Sequence, residues 1–300
     1  MEKRVLGKTG LWVTPLGFGA MEVRGPRVWN GPAISESDAG KILNAVLDAG
    51  INFIDTANCY GMSETYIGRL ISHRRSEYYL ASKCGCQILP AGDHDETPHI
   101  FTRENLLRNI DDSLGKLRTD VIDVYQLHNP TFEQVTQKGL VEVLQEIKAS
   151  GKIRHIGIST VDPQIQAFIA AGPFETFQIP YSALDRRHER LISTAAHAGT
   201  GTIIRGGVHN GEPGAGHGSQ EVWALWDKAR LDELRDPDDS PTAFLLRFLL
   251  GHPDLSTTIV GTKNPEHLAA NLKTAEKGPL PESVRAEAIR RLDEVGNKPI

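Results

Sequence analysis

Leu16-Gly17-Phe18-Gly19-Ala20-Met21-Glu22 is the stretch on which the fold turns. It reads as a short buried strand running into a loop, and Gly17-Phe18-Gly19 opens the G-x-G-x-x-G pattern of a dinucleotide-binding doubly wound sheet. In that pattern a third glycine lets the following helix pack closely on the strand. Position 22 is Glu22, so the pattern stops after two glycines. The segment is therefore expected to be the first strand of another parallel α/β architecture, and the flanking sequence says which.

Upstream, Arg4-Val5-Leu6-Gly7 and Leu11-Trp12-Val13 flank Lys8-Thr9-Gly10, which predicts a β-hairpin ahead of the first strand. Downstream, one unit recurs: apolar run, loop, amphipathic helix. Ser35-Glu36-Ser37-Asp38 has N-cap chemistry, Ala39, Ile42, Val46 and Leu47 keep helical spacing, and Gly50 ends the helix. Asn52 to Asp55 is the second strand, and a helix begins near Ser63. Tyr78 to Lys83 is the third strand; Thr102 caps a helix striped by Leu107, Ile110, Leu114 and Leu117. Val121 to His128 is the fourth, followed by a helix carrying Leu140, Val143, Leu144 and Ile147. Ile153 to Ser159, Phe177 to Ile179, Thr202 to Arg205 and Thr257 to Val260 are strands five to eight, and an extra helix is expected around Pro281 to Val295.

Strands alternating with helices in units of roughly 30 residues point to parallel βαβ topology. The count of eight favours a closed (β/α)8 TIM barrel with an N-terminal β-hairpin over a doubly wound sheet. No low-complexity segment or linker divides the chain, so residues 1–300 are read as a single domain. Gly206 to Gly218 reads as one long Gly-rich loop, and Asp93-His94-Asp95-Glu96 as another.

Composition narrows the function class. Hydrophobic residues make up 39% of the chain and charged residues 24%, an ordinary globular balance. The net charge of −5 and the scattered basic residues argue against a nucleic-acid partner. No apolar run approaches the roughly 18–20 residues of a membrane helix, and the N-terminus shows no apolar leader, so no membrane association is expected. Cys59, Cys84 and Cys86 are an odd number in a chain too large to need staples, which suggests a reducing compartment and a cytoplasmic location. Cys84-Gly85-Cys86 is too tightly spaced for a redox pair and reads as small residues just past strand three. His209 and His217 have no accompanying cysteine or carboxylate at ligand spacing, so no metal is expected. Trp223 and Trp226 read equally as substrate walls or helix-packing aromatics.

In such a barrel, functional groups stand where strands end and βα loops begin. Strand two ends in Asp55, with Tyr60 in its loop; strand three ends in Lys83; strand four ends in His128. Three adjacent strand ends thus deliver an Asp, a Tyr, a Lys and a His. A free Tyr titrates near pH 10, and a neighbouring ammonium lowers that value. Lys83 can play that part, held by Asp55, while His128 hydrogen-bonds a carbonyl oxygen. The set makes a general acid beside an electrophilic pocket.

Asn52-Phe53-Ile54-Asp55-Thr56-Ala57-Asn58-Cys59-Tyr60-Gly61-Met62-Ser63-Glu64 resembles the signature of the aldo-keto reductase superfamily. The likeness continues through the hairpin, Ala81-Ser82-Lys83, Tyr125-Gln126-Leu127-His128, Gly157-Ile158-Ser159 and the segment from Gly261 to Asn271. It implies a barrel with the catalytic tetrad Asp55, Tyr60, Lys83 and His128, and an extended nicotinamide cofactor held without a Rossmann fold. It implies carboxamide contacts from Ser159 and Gln178, with Thr160 standing where Asn is common. By alignment, Arg205 takes the place of the aromatic residue that stacks on the nicotinamide ring; a planar guanidinium can stack too.

Gly206 opens the loop that can clasp the pyrophosphate through backbone N–H groups. Gly261, Thr262, Lys263, His267 and Asn271 are expected around the adenosine end, at a helix N-terminus suited to phosphate. Histidine at position 267 is a pH-dependent substitute for the basic residue that NADP-preferring members present, and Lys263 can add charge. NADP(H) is thus favoured and NAD(H) possible. Trp29, in the first βα loop, is a candidate substrate wall. The resulting expectation is reduction of an aldehyde or ketone to an alcohol, or the reverse, on a small-molecule substrate. A regulatory or redox-sensing subunit on the same fold and a metal-dependent barrel lyase or hydrolase are the alternatives. The sequence leaves the oligomeric state open.

Overall fold

The structure, a computed structural model, describes residues 1–31, 33–214 and 216–300. It opens with the expected hairpin: β1 (Arg4–Val5) pairs antiparallel with β2 (Trp12–Val13). Thr9 tightens the turn by donating its hydroxyl to the Leu6 carbonyl at 2.6 Å, and Gly10 follows in the left-handed region. The hairpin forms the barrel floor. Leu6, Leu11 and Val13 pack on Phe53, Ala81, Val124 and Ile203, apolar residues of the barrel strands. Gly7, at φ +53, lies so close to the Thr200–Gly201 backbone that any Cβ there would collide. Asn52 joins floor to wall, accepting from Thr14 N at 2.7 Å and donating to Trp12 O at 2.8 Å.

The barrel itself comprises β3 (Leu16–Gly19), β4 (Phe53–Asp55), β5 (Tyr79–Cys84), β8 (Ile122–His128), β9 (Ile153–Ser159), β10 (Thr176–Pro180), β11 (Gly201–Arg205) and β12 (Thr257–Val260). These pair in that order, all parallel, and β12 closes on β3. The glycines of β3 serve this closure rather than a phosphate loop. A Cβ on Gly17 would press on Phe53 and Thr257.

Between the strands run α1 (Glu36–Asp48), α2 (Ser63–Leu70), α3 (Arg103–Leu117), α4 (Phe132–Gln137), α5 (Leu140–Ala149), α6 (Gln164–Ala171), α7 (Glu189–His197), α8 (Gln220–Lys228) and α9 (Pro241–Leu250). After β12 come α10 (Pro265–Lys277) and α11 (Glu282–Glu294). Ser35 and Thr102 cap α1 and α3 with their side-chain oxygens, as the sequence predicts. Among the described residues no helix is long and apolar enough to cross a membrane.

Three local readings are corrected. The buried face of α3 is Leu106, Ile110, Ser113 and Leu117, with Leu107 and Leu114 only half-buried. Asn105 and Asn109 turn the helix that way by bonding the loop after β5: Asn109 accepts from Gly85 N at 2.9 Å and Asn105 donates to Ile100 O at 2.8 Å. Strand β5 runs one residue past Lys83, because Cys84 stays in register with Leu127. The Asp93-to-Glu96 segment is half of a second hairpin, β6 (Leu89–Ala91) against β7 (His94–Glu96), turning at the left-handed Gly92. Trp223 and Trp226 of α8 are buried, Trp226 edge-on to Phe244, so they are packing aromatics.

Candidate active site

The strand ends gather the four expected residues at one rim. Lys83 is fully buried and donates to Asp55 Oδ2 at 2.6 Å and to Thr56 O at 2.7 Å. A buried ammonium is tolerated only with such partners. Burial pulls its pKa down, but Asp55 and Tyr60 outweigh that and hold Lys83 above its ordinary value. The ammonium lies 4.9 Å from the centroid of the Tyr60 ring.

Tyr60 is aimed by a tight turn. Its N–H donates to Ala57 O, and Ser63 N donates back to Tyr60 O at 2.8 Å. Gly61 sits at φ +44 against the Arg24 carbonyl, where a side chain would not fit. The sequence argument expects Lys83 to lower the Tyr60 pKa. Lys83 does act in that direction, but burial is the larger influence and the net shift is upward. The phenol therefore keeps its proton at neutral pH.

His128 closes the rim, its ring centroid 6.0 Å from that of Tyr60 and edge-on. It is 8% exposed. Burial, and then the positive charge of Lys83, hold its pKa well below the ordinary histidine value, so the imidazole is neutral. Its Nδ1 lies 3.5 Å from Cys59 Sγ and 3.4 Å from Cys86 Sγ.

A polar belt extends the tetrad across the barrel, joining the expected Gln178 and Ser159 to Gln126, to which sequence reasoning gave no role. Gln178 Nε2 donates to Asp55 Oδ1 at 2.7 Å, and Gln126 Nε2 donates to the same oxygen at 3.1 Å. Ser159 donates its hydroxyl to Gln178 Oε1 at 3.0 Å. Gln126 was findable: it sits two residues before His128 in β8, on the same face of the strand. His99 is the other omission. It stands edge-on to His128, ring centroids 5.4 Å apart, and nothing in its local sequence marks it.

Thr160 is buried directly after β9, its hydroxyl 3.5 Å from Pro130 O. Arg205 ends β11 half-buried, and among the described residues its guanidinium has no hydrogen-bond or ion-pair partner. Gly206 follows at φ +71 with open space beside it. On the far side of the rim, Gly261 and Thr262 lead into α10. Asn264 caps that helix by accepting from Glu266 N at 2.9 Å; Lys263 and His267 are exposed beside the cap, and Asn271 is half-buried further along. An unpaired planar cation at the mouth, an open glycine and an exposed basic pair at a helix N-terminus fit an extended dinucleotide.

Trp29 is 49% exposed and stands edge-on over Tyr60, centroids 5.8 Å apart. Its loop is tied to the second hairpin by Asp95, which donates N–H to Arg27 O at 2.8 Å and accepts from the Arg27 guanidinium at 2.7 Å. His209 lies with His217 in the long loop, and the described residues show no metal-ligating group there. A cleft of about 480 Å³ between α7, the end of α9 and α11 is lined by Arg186, His252 and Arg285. No residue of the tetrad lines it, so it is the chemistry of the strand ends that locates the site.

Comparison with known proteins agrees with this fold. The aldo/keto reductase family model matches residues 15–295, and the chain belongs to that family. It is 28% identical over 300 residues to the uncharacterized oxidoreductase YqkF of Bacillus subtilis (strain 168), covering 94% of each chain. It is 31% identical over 210 residues to the NADH-specific methylglyoxal reductase of Escherichia coli (strain K12), covering 64% of this chain and 62% of that one. Among solved structures it superposes on the holo form of aldo-keto reductase AKR11C1 from Bacillus halodurans with a TM-score of 0.84, at 29% identity, covering 97% and 96% of the two chains. The protein is thus an oxidoreductase of the aldo-keto reductase class on a (β/α)8 barrel.

Proposed function

We propose that the protein is an NAD(P)(H)-dependent reductase of aldehydes or ketones, the reverse alcohol oxidation being open to the same residues. The observation that carries this reading is the fully buried Lys83–Asp55 pair set beneath the ring of a protonated Tyr60, opposite a neutral His128. A bound reduced nicotinamide supplies the hydride.

The chain's own residues do the rest. The Tyr60 hydroxyl holds a proton in the resting state because burial disfavours phenolate. As negative charge gathers on the carbonyl oxygen, the hydroxyl delivers that proton, and Lys83 stabilises the phenolate left behind. Asp55 keeps Lys83 charged and in place. His128, neutral, donates N–H to the carbonyl oxygen and orients it. Trp29 walls the space over Tyr60, and His99 packs edge-on to His128. Gln178, Ser159 and Thr160 would hold the amide end of a bound nicotinamide cofactor, Arg205 would stack on its ring, and Gly206 would leave room for its backbone. Lys263 and His267, with Gly261, Thr262 and Asn271, would hold the adenosine end. This arrangement favours NADP(H), since both basic groups suit a 2′-phosphate; NAD(H) use has a precedent by name in the E. coli relative.

The test is a fluorescence titration with NADPH and NADH. Saturable quenching of the tryptophan signal at about micromolar NADPH is expected, weaker for NADH, with Lys263→Ala narrowing the gap. Failure of both to bind would end the reading.

A further inference from the structure

At the rim, three soft-metal donors converge: His128 of the tetrad and two cysteines that take no part in proton delivery. Cys59 sits just before Tyr60, Cys86 lies in the loop after β5, and His128 ends β8. The two cysteines are essentially unexposed and free of disulfide partners. The two sulfurs and His128 Nδ1 all lie within 4.8 Å of one another. The sulfur-to-nitrogen separations are 3.5 and 3.4 Å. A tetrahedral zinc site, with Zn–S about 2.3 Å and Zn–N about 2.0 Å, sets sulfur and nitrogen about 3.5 Å apart. Both sulfur-to-nitrogen edges therefore already have the length that such a site needs.

We propose that Cys59, Cys86 and His128 Nδ1 form a Cys2His site for a soft divalent ion of the zinc class, with water as fourth ligand. Binding releases two thiol protons to solvent, so the dication and two thiolates sum to zero charge. That neutrality suits a buried position near the Lys83 ammonium. Coordination through Nδ1 leaves the imidazole proton on Nε2, the nitrogen then free to donate to a carbonyl oxygen. The metal site and the reductase reading are therefore compatible, yet separable, because metal binding is read without substrate. Ligands at the C-terminal ends of three different barrel strands explain why no ligand spacing appears in the sequence.

The experiment uses the full chain, reduced and stripped with chelator, then titrated with Cd2+ under thiolate-to-cadmium charge-transfer absorption and with Zn2+ in competition. One ion per chain is expected at about micromolar or tighter, with affinity lower by at least about 100-fold in folded Cys59→Ser and Cys86→Ser proteins. Should either variant fail to fold, zinc X-ray absorption of the wild-type protein decides: two sulfur neighbours near 2.3 Å and a nitrogen shell near 2.0 Å are expected. No bound ion, unchanged affinity in both folded variants, or an oxygen-only shell would overturn the proposal.

Discussion

Gln178 holds one oxygen of the Asp55 carboxylate at 2.7 Å while Lys83 holds the other at 2.6 Å. One buried carboxylate thus joins the residue expected to face the cofactor amide to the cation beneath the proton donor. A change at either end is transmitted through it.

Asp55→Asn leaves the Lys83 ammonium buried beside a neutral amide. Breaking one side of a buried pair costs about 3–5 kcal/mol, which in a chain of this size lowers the melting temperature by roughly 10 °C. Turnover should fall about 100-fold or more as Tyr60 loses its tuned neighbour. Calorimetry and steady-state kinetics check the two effects separately; an unmoved melting temperature would contradict the role given to the pair.

Tyr60→Phe removes the proton donor and little else, since the ring fills the same space. Carbonyl reduction is expected to drop by about 10²–10⁴-fold with the NADPH dissociation constant unchanged. Full activity in this variant would remove Tyr60 from the mechanism.

Trp29→Ala strips the exposed wall over Tyr60. A rise in KM of about tenfold for bulky apolar carbonyls is expected, the worth of one lost apolar wall, with much less change for the smallest aldehydes. An equal rise for all substrates would assign Trp29 to general folding of the loop.

Gly68→Ala tests packing far from the chemistry. A methyl on Gly68 would meet the Lys116 carbonyl, where α2 crosses the end of α3. Overpacking of this kind costs about 1–3 kcal/mol, seen as a lowered denaturant midpoint with retained cofactor affinity.

Glu175 gives a pH signature. Its carboxylate accepts from Lys148 Nζ at 2.7 Å and from Ile156 N at 3.0 Å, and it contacts His155 at 2.7 Å. Burial raises its pKa, but these partners outweigh burial and bring it to about 2. A depressed carboxylate adds stability that is complete above its unfolded pKa of about 4.3 and is lost as pH falls toward the folded value. Partial exposure discounts the contribution to about 1 kcal/mol. The stability gap between wild type and Glu175→Gln should close as pH falls from about 4 to about 2; a gap that persists undiminished at about pH 2 would refute the assignment.

The barrel was legible because its strands are apolar runs set between well-marked helices, and because Glu22 stands where a Rossmann glycine would be. Asp55, Tyr60, Lys83 and His128 could be found because parallel strands put their C-terminal ends on one rim, so position along the chain translates into position in space. What escaped was contact across that rim. Gln126 and His99 acquire meaning only from the residues opposite them, Cys59 and Cys86 only from His128. The second hairpin was hidden because its strands are three residues each, one apolar with a central Pro90 and the other wholly polar, leaving no period-2 pattern to read. The direction of the Tyr60 shift was missed because sequence names the neighbouring ammonium but not the depth at which both groups lie.

The Arg27–Asp95 tie has a consequence for how this protein can change its diet. The Trp29 loop over Tyr60 is tied to the second hairpin, and the two stretches of chain belong to different βα units. Exchanging one of them alone for that of a related enzyme would break the seam, so engineering at this mouth has to transplant both.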